Sequence, residues 1–269
     1  MNRSARFLLP VLLTAVLCCP ALLAAQESQD TTILTQPRPR VGPPPANATA
    51  AELETKADEL REEKSYADAL DYYRAAQKKQ SSAVLLNKMG ITELQLARRD
   101  EAKKHFEKAI KADRQYSEAY NNLGVIYYID KKYNKAIKQY RKAIQLREAS
   151  ASFHSNLGTA YFAKKQIDDA MKEYIRAMQI DPEVFERKSQ AGIAAKMSSP
   201  EDRAHYSYVL AKMYAQSGNF DRALLYLRKA IEDGYKEIDD VYKDQVFAEL
   251  RKDKRFGELM AAKPVSIPQ

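Results

Sequence analysis

The sequence predicts an all-α chain built as a stack of helix–turn–helix units. Three observations predict it. Of 11 prolines, only Pro182 and Pro200 fall between Ala46 and Lys263, so a long stretch has almost nothing to break a helix. Glycine is scarce, at 8 of 269 residues, which argues against a sandwich or barrel, whose frequent turns need Gly and Pro. Four of those glycines share one spacing: Gly90, Gly124, Gly158 and Gly192 lie 34 apart.

The chain opens with Arg3 and Arg6, an apolar run from Phe7 to Leu23, and the small residues Ala24 and Ala25. Residues 1–25 therefore have the layout of a secretory signal, with cleavage expected after Ala25. An uncleaved anchor is the other reading, although Pro10 and Pro20 break a run already short for a membrane span. Leu17 precedes Cys18 where a lipid-attachment site needs a small residue. Export implies a periplasmic or secreted protein. Residues 26–49 hold Pro37, Pro39, Pro43, Pro44 and Pro45 and read as a Pro-rich, disordered linker.

The repeats begin at residue 50. Ala102, Ala136 and Ala170 follow 12 residues after the first three glycines. Phe106, Tyr140 and Tyr174 come four later, and Ala109, Ala143 and Ala177 three further on. These residues resemble the tetratricopeptide repeat, a helix–turn–helix unit of 34 residues. The match is fullest over 117–148, where Tyr120, Leu123-Gly124, Tyr127, Ala136, Tyr140 and Ala143 fill the family's positions. Residues 151–182 supply His154, Leu157-Gly158, Tyr161, Ala170, Tyr174, Ala177 and Pro182. Residues 83–114 carry Met89-Gly90, Ala102, Phe106 and Ala109, with Glu93 in place of a Tyr. Residues 50–81 fit through Ala69, Tyr73 and Ala76, with Ala57 for Gly and Leu60 for Tyr. The resemblance implies a right-handed α-α superhelix. Only small side chains at the glycine and first alanine let two helices cross closely, and the aromatics fill the gap against the next unit. One unit cannot bury its face alone, so stacking is obligatory.

Beyond Pro182 two frames compete. Gly192, Ala204, Tyr208 and Ala211 keep the register, while Leu210-Ala211, Tyr214, Gly218, Ala223 and Ala230 form a repeat over 204–235 in a shifted one. One extra helix over about 183–197, within a 183–203 insertion, reconciles them. Ser199-Pro200-Glu201-Asp202 resembles a capping box that starts the next helix, and Gly218 and Gly234 are stops. Residues 236–262 form a helical cap through Val246, Phe247, Leu250, Phe256, Leu259 and Met260. Residues 263–269 are a tail.

No HExxH, Walker, GxGxxG or GxSxG motif occurs. His105, His154 and His205 lie far apart, without acidic or cysteine partners at ligand spacing. Neither catalytic residue, metal site, cofactor nor small-molecule substrate is expected, and the chain reads as non-enzymatic. In the family it resembles, the first helix of each repeat lines a concave groove. The corresponding residues are Asn87, Ile91 and Gln95, then Asn121, Val125, Tyr128 and Ile129, then Ser155, Thr159 and Phe162, with Tyr208 and Lys212 from the last repeat. Asn side chains can pair with an extended peptide and the aromatics can take its side chains; burial by neighbouring helices is the competing reading. Asn87, Asn121 and Ser155 stand where a lysine clamp for a terminal carboxylate would need Lys.

Charge is uneven. The chain carries 44 Lys/Arg and 36 Asp/Glu, a net of +8, and residues 98–147 alone hold 14 against 6. Arg98, Arg99, Lys103, Lys104, Lys131, Lys132, Lys135, Lys138, Arg141 and Lys142 are expected on an outer face. The sequence thus predicts an envelope module that binds a protein or peptide in a groove. The alternative is an accessory factor docked on an anionic surface. Nucleic acid is a poor partner for an exported chain.

Overall fold

A computed structural model describes residues 40–185 and 199–262. The expected signal segment 1–25, most of the linker, the extra helix at 183–197 beyond Phe185, Gly192 and the tail 263–269 lie outside the described residues. Among the described residues, five helix pairs follow one another: α1 (Ala50–Glu62) with α2 (Tyr66–Lys79), α3 (Ala83–Gln95) with α4 (Arg99–Ala112), α5 (Ser117–Ile129) with α6 (Tyr133–Leu146), α7 (Ala151–Ala163) with α8 (Ile167–Ile180), and α9 (Pro200–Gln216) with α10 (Phe220–Glu232).

Local chemistry starts these helices. Thr49 caps α1 in a reciprocal box, its hydroxyl accepting from the Glu52 amide while the Glu52 carboxylate accepts from the Thr49 amide. Ser82 caps α3 through the Leu85 amide. Ser199 caps α9 through the Asp202 amide, with Pro200 in the first turn, where its missing N–H costs nothing.

Each pair turns through one residue in the left-handed region: Lys64, Ala97, Lys131, Lys165 and Gly218, with φ between 58° and 77°. The next amide reaches back in the Schellman pattern, as in Lys132 N to Tyr127 O and Asn219 N to Tyr214 O, both within 2.9 Å. Gly218 takes this conformation without strain; four L-residues do not.

The two helices of a unit meet at its glycine. A Cβ on Gly90 would stand 2.6 Å from the Phe106 ring, on Gly124 2.5 Å from Tyr140, and on Gly158 2.6 Å from Tyr174. Ala102, Ala136 and Ala170 are fully buried beside them. The rings therefore sit against their own unit's glycine as well as the following unit; Phe106 also packs with Leu123 and Ile126 of α5. The first pair repeats the arrangement with buried Ala57, Ala69, Tyr73 and Ala76.

After Gly234, itself at positive φ, the chain winds through short 3-10 turns at Ile238–Tyr242, Gln245–Phe247 and Leu250–Lys252 into α11 (Lys254–Ala261). Val241, Phe247, Leu250, Phe256, Leu259 and Met260 are buried there. The Arg251 guanidinium donates to the carbonyls of Val241 and Asp244, both at 2.8 Å, and stitches the cap together. The cap covers apolar surface that a terminal repeat would otherwise leave to water.

The strained turns give a direct expectation. Lys131→Gly should stabilise the chain by about 0.5 kcal/mol, the relief of left-handed strain exceeding the entropy that glycine loses, whereas Gly218→Ala should cost about 1 kcal/mol. Urea unfolding of both variants checks the opposite signs.

Candidate partner-binding face

The first helices lie side by side, α3 against α5 and α5 against α7. Counting from Ala50, Ala83, Ser117 and Ala151 as first residues, the sixth residue of each unit reaches back to the fifth of the unit before. Lys88 donates to Glu54 at 2.7 Å and also to Asp58 at 2.6 Å. Asn122 donates to Asn87, and Asn156 to Asn121, each at 2.9 Å. The remaining amide donors of Asn87 and Asn121 face the Tyr116 hydroxyl and Asn122. Asn87, Asn121 and Asn156 are buried. Sequence reasoning reads the fifth-position asparagines as ligand contacts; here they form a ladder that fixes one first helix against the next. The signal that reveals it is a polar pair recurring 34–35 residues apart.

The ninth residue of each unit faces the aromatic of its second helix. Asp58 accepts from the Tyr73 hydroxyl, and Thr159 meets the Tyr174 hydroxyl at 3.3 Å. Ile91 packs with the cluster around Phe106, which has no hydroxyl to satisfy. Val125 occupies this position opposite Tyr140, and the fully buried Tyr140 hydroxyl has no hydrogen-bond partner among the described residues.

The expected groove residues therefore divide by depth. Asn87, Asn121, Val125, Thr159 and Phe162 are buried floor. Ile91, Tyr128, Ile129 and Ser155 are half-buried, Gln95 is exposed, and Val84, at 44% exposure, stands beside them on α3. Tyr128 leans on the Tyr133 ring at 5.4 Å. Burial, then the neighbouring Tyr133 and Asp202, push its hydroxyl up to about 12, so it stays a neutral donor.

Toward the C-terminus the chain covers its own face. Phe162 lies under the rings of His205 and Tyr206, at 5.1 and 5.7 Å. Tyr208 stacks on Tyr235 at 4.4 Å and touches Phe247. Lys212 pairs with Asp244 of the cap at 2.6 Å. Burial raises the Asp244 carboxyl, but the hydrogen bonds from Lys212 and the Val246 amide outweigh it and hold the group below its usual range. A hollow of about 430 Å³ remains here, with Tyr208, Lys212, Tyr235 and Asp244 in its walls. Burial and then Lys165 lower the His205 pKa, which favours a neutral ring beside it.

The other two histidines do have carboxylate partners, contrary to the sequence reading. His105 Nδ1 lies 2.7 Å from Glu93, a partner that lets this buried Glu stand where the repeat has Tyr. His154 Nδ1 lies 2.6 Å from Glu173, with its Nε2 on the Glu148 carbonyl. Helix crossing brings these pairs together, so spacing along the chain could not reveal them. Among the described residues, no three His, Cys, Asp or Glu side chains gather as a metal would require.

Profiles described as tetratricopeptide repeat match residues 83–116, 151–184 and 204–232, and another matches 105–138. One described as TPR repeat matches 126–165. The match from Ala204 adopts the shifted frame. No curated protein matches the chain significantly. Among solved structures, the Cut9–Hcn1 hetero-tetramer of APC/C superposes with a TM-score of 0.50 at 16% identity, over 76% of this chain and 35% of that one. MamA 41-end from Desulfovibrio magneticus RS-1 gives 0.49 at 19% identity, over 70% and 96% of the two chains. TTC0263, a thermophilic TPR protein in Thermus thermophilus, gives 0.48 at 19%, over 76% and 100%. At 16% identity the likeness to the Cut9–Hcn1 assembly is one of fold alone.

The ninth-position pairing sets up a contrast between two tyrosines. Tyr174→Phe should cost about 1 kcal/mol by removing a satisfied hydroxyl, while Tyr140→Phe should be neutral or stabilising because it removes an orphan. Thermal unfolding of the two variants gives the comparison; equal losses would show that the Tyr140 hydroxyl is bonded.

Proposed function

The chain belongs to the tetratricopeptide-repeat family, and we propose that it is an exported, non-enzymatic module that holds a segment of a protein partner against its first helices. One observation carries this reading. The ladder from Lys88 to Asn156 fixes the first helices of four consecutive units, and this rigid floor leaves Val84, Ile91, Gln95, Tyr128 and Ser155 within reach of a ligand. A prealigned surface lowers the ordering cost of association. Its accessible groups are a mixture of apolar, amide and phenol, suited to side chains and backbone of an extended segment rather than to a charged terminus. The cap closes the last repeat, so the open stretch runs over α3, α5 and α7.

Capture by the full chain from envelope and cytosolic fractions identifies the partner, and intact mass of the recovered protein should show a start near Gln26 if the leader is cleaved. Titration then tests the face. Tyr128→Ala should weaken binding by about 2 kcal/mol, roughly thirtyfold, with the circular-dichroism spectrum unchanged. Phe162 is unsuitable for this purpose, since its truncation opens a cavity beneath His205 and Tyr206. Undiminished affinity in Tyr128→Ala and Gln95→Ala would place the partner elsewhere.

A further inference from the structure

We propose that the groove between α6 and the α7–α8 turn is a second docking surface, one that receives an extended acidic segment of a protein partner. It does not rest on the reading of the first helices. The groove encloses about 360 Å³. Asn134, Ile137, Lys138 and Arg141 line it from one face of α6, and Tyr161 and Lys164 from the end of α7. A second hollow at the start of α6 shares Asn134 and Lys164 and adds Lys131, Lys132 and Lys135. Six cations thus border two adjoining hollows that share Asn134 and Lys164, and no carboxylate lines either among the described residues.

The preceding unit shows what a self-neutralised version looks like. Thirty-four residues earlier, Asp100, Glu107 and Asp130 stand where this groove has Asn134, Arg141 and Lys164. There Asp130 takes Lys132 at 3.0 Å and Arg99 at 3.9 Å, and Glu107 takes Lys103 at 3.7 Å. One unit on, each of these three acidic positions has become neutral or basic. Lys131, Lys138 and Lys164 have no carboxylate within ion-pair distance among the described residues. The first turn of α6 also has no acidic residue, whereas those of α2, α4, α8 and α10 each have at least one. Lys132 alone of the six has a carboxylate partner among the described residues, Asp130 of the preceding turn; like charges gathered with so few counterions repel one another, and an incoming anion relieves that repulsion.

The shape selects the kind of anion. Ile137 and the buried Tyr161 form an apolar floor below a cationic rim, which fits the alternating faces of an extended chain. Arg141 is already oriented, donating to the Tyr161 hydroxyl and lying 5.7 Å from its ring. A planar bilayer surface would meet the rim without entering. Tyr161 is too buried to offer a face for stacking a nucleic-acid base.

The test uses the full chain and a fluorescein-labelled decapeptide of alternating Glu and Ala. Arg141→Glu with Lys164→Asp installs two acidic residues found one unit earlier, and should weaken peptide binding at least tenfold. Lys108→Glu with Lys111→Glu changes the net charge equally on exposed α4 and should stay within twofold. Circular dichroism confirms that both variants are folded. Equal losses in the two variants, or no binding of the peptide by the parent chain, would overturn the proposal. So would binding to phosphatidylglycerol vesicles that the peptide fails to displace.

Discussion

A glycine facing an aromatic ring sets the distance between the two helices of a unit, and the rest of the array is built on that distance. Glycine within a helix is about 1 kcal/mol worse than alanine by intrinsic preference. Here the preference is overridden, because the rings of Phe106, Tyr140 and Tyr174 occupy the space a methyl group would need. The ring is held in turn by the next unit, as Phe106 is by Leu123 and Ile126. One contact therefore fixes both the crossing within a unit and the seat for its neighbour. The polar ladder of Lys88, Asn122 and Asn156 then sets the alignment of successive first helices, a directional constraint that apolar packing alone does not provide.

Much of this was legible in the sequence, because close packing leaves a periodic mark. A 34-residue spacing of Gly, Ala and an aromatic identifies helix pairs and their register, and the 53-residue step from Ala170 to Ala223 reveals the shifted last repeat. What the spacing could not show were interactions whose partners depend on helix crossing. Asn87 and Asn121 look like free recognition groups until the units are stacked and Asn122 and Asn156 arrive at their carbonyls. Glu93 looks like a departure from the repeat until His105 meets it. Lys64, Lys131 and Lys165 give no hint of a left-handed turn, because tertiary packing imposes that conformation on residues that do not prefer it. Lys212 and Tyr208 are groove residues by register, yet the cap supplies Asp244, Tyr235 and Phe247 against them.

The same geometry separates two surfaces with different chemistry. The first helices carry amides, hydroxyls and half-buried apolar groups around Tyr128, with their strongest polar interactions spent on alignment. The edge that bears the turns carries lysine and arginine, and around α6 those charges, Lys132 apart, lack the carboxylates that accompany them one unit earlier. Short-range fit would govern the first surface, whereas the second would act partly at a distance and lose strength as salt shortens the reach of its field to about 8 Å at physiological ionic strength.

The claim that a ring opposite glycine governs the whole array is tested most directly by a double-mutant cycle on Gly124 and Tyr140. Gly124→Ala alone should destabilise through the clash with the ring, and Tyr140→Leu alone through lost packing. The account predicts that the double variant is more stable than the sum of the two losses allows, by roughly 1 kcal/mol or more, since the smaller side chain leaves room for the new methyl group. Simple additivity in urea unfolding would contradict it, and would mean that the glycine is there for a reason other than the ring it faces.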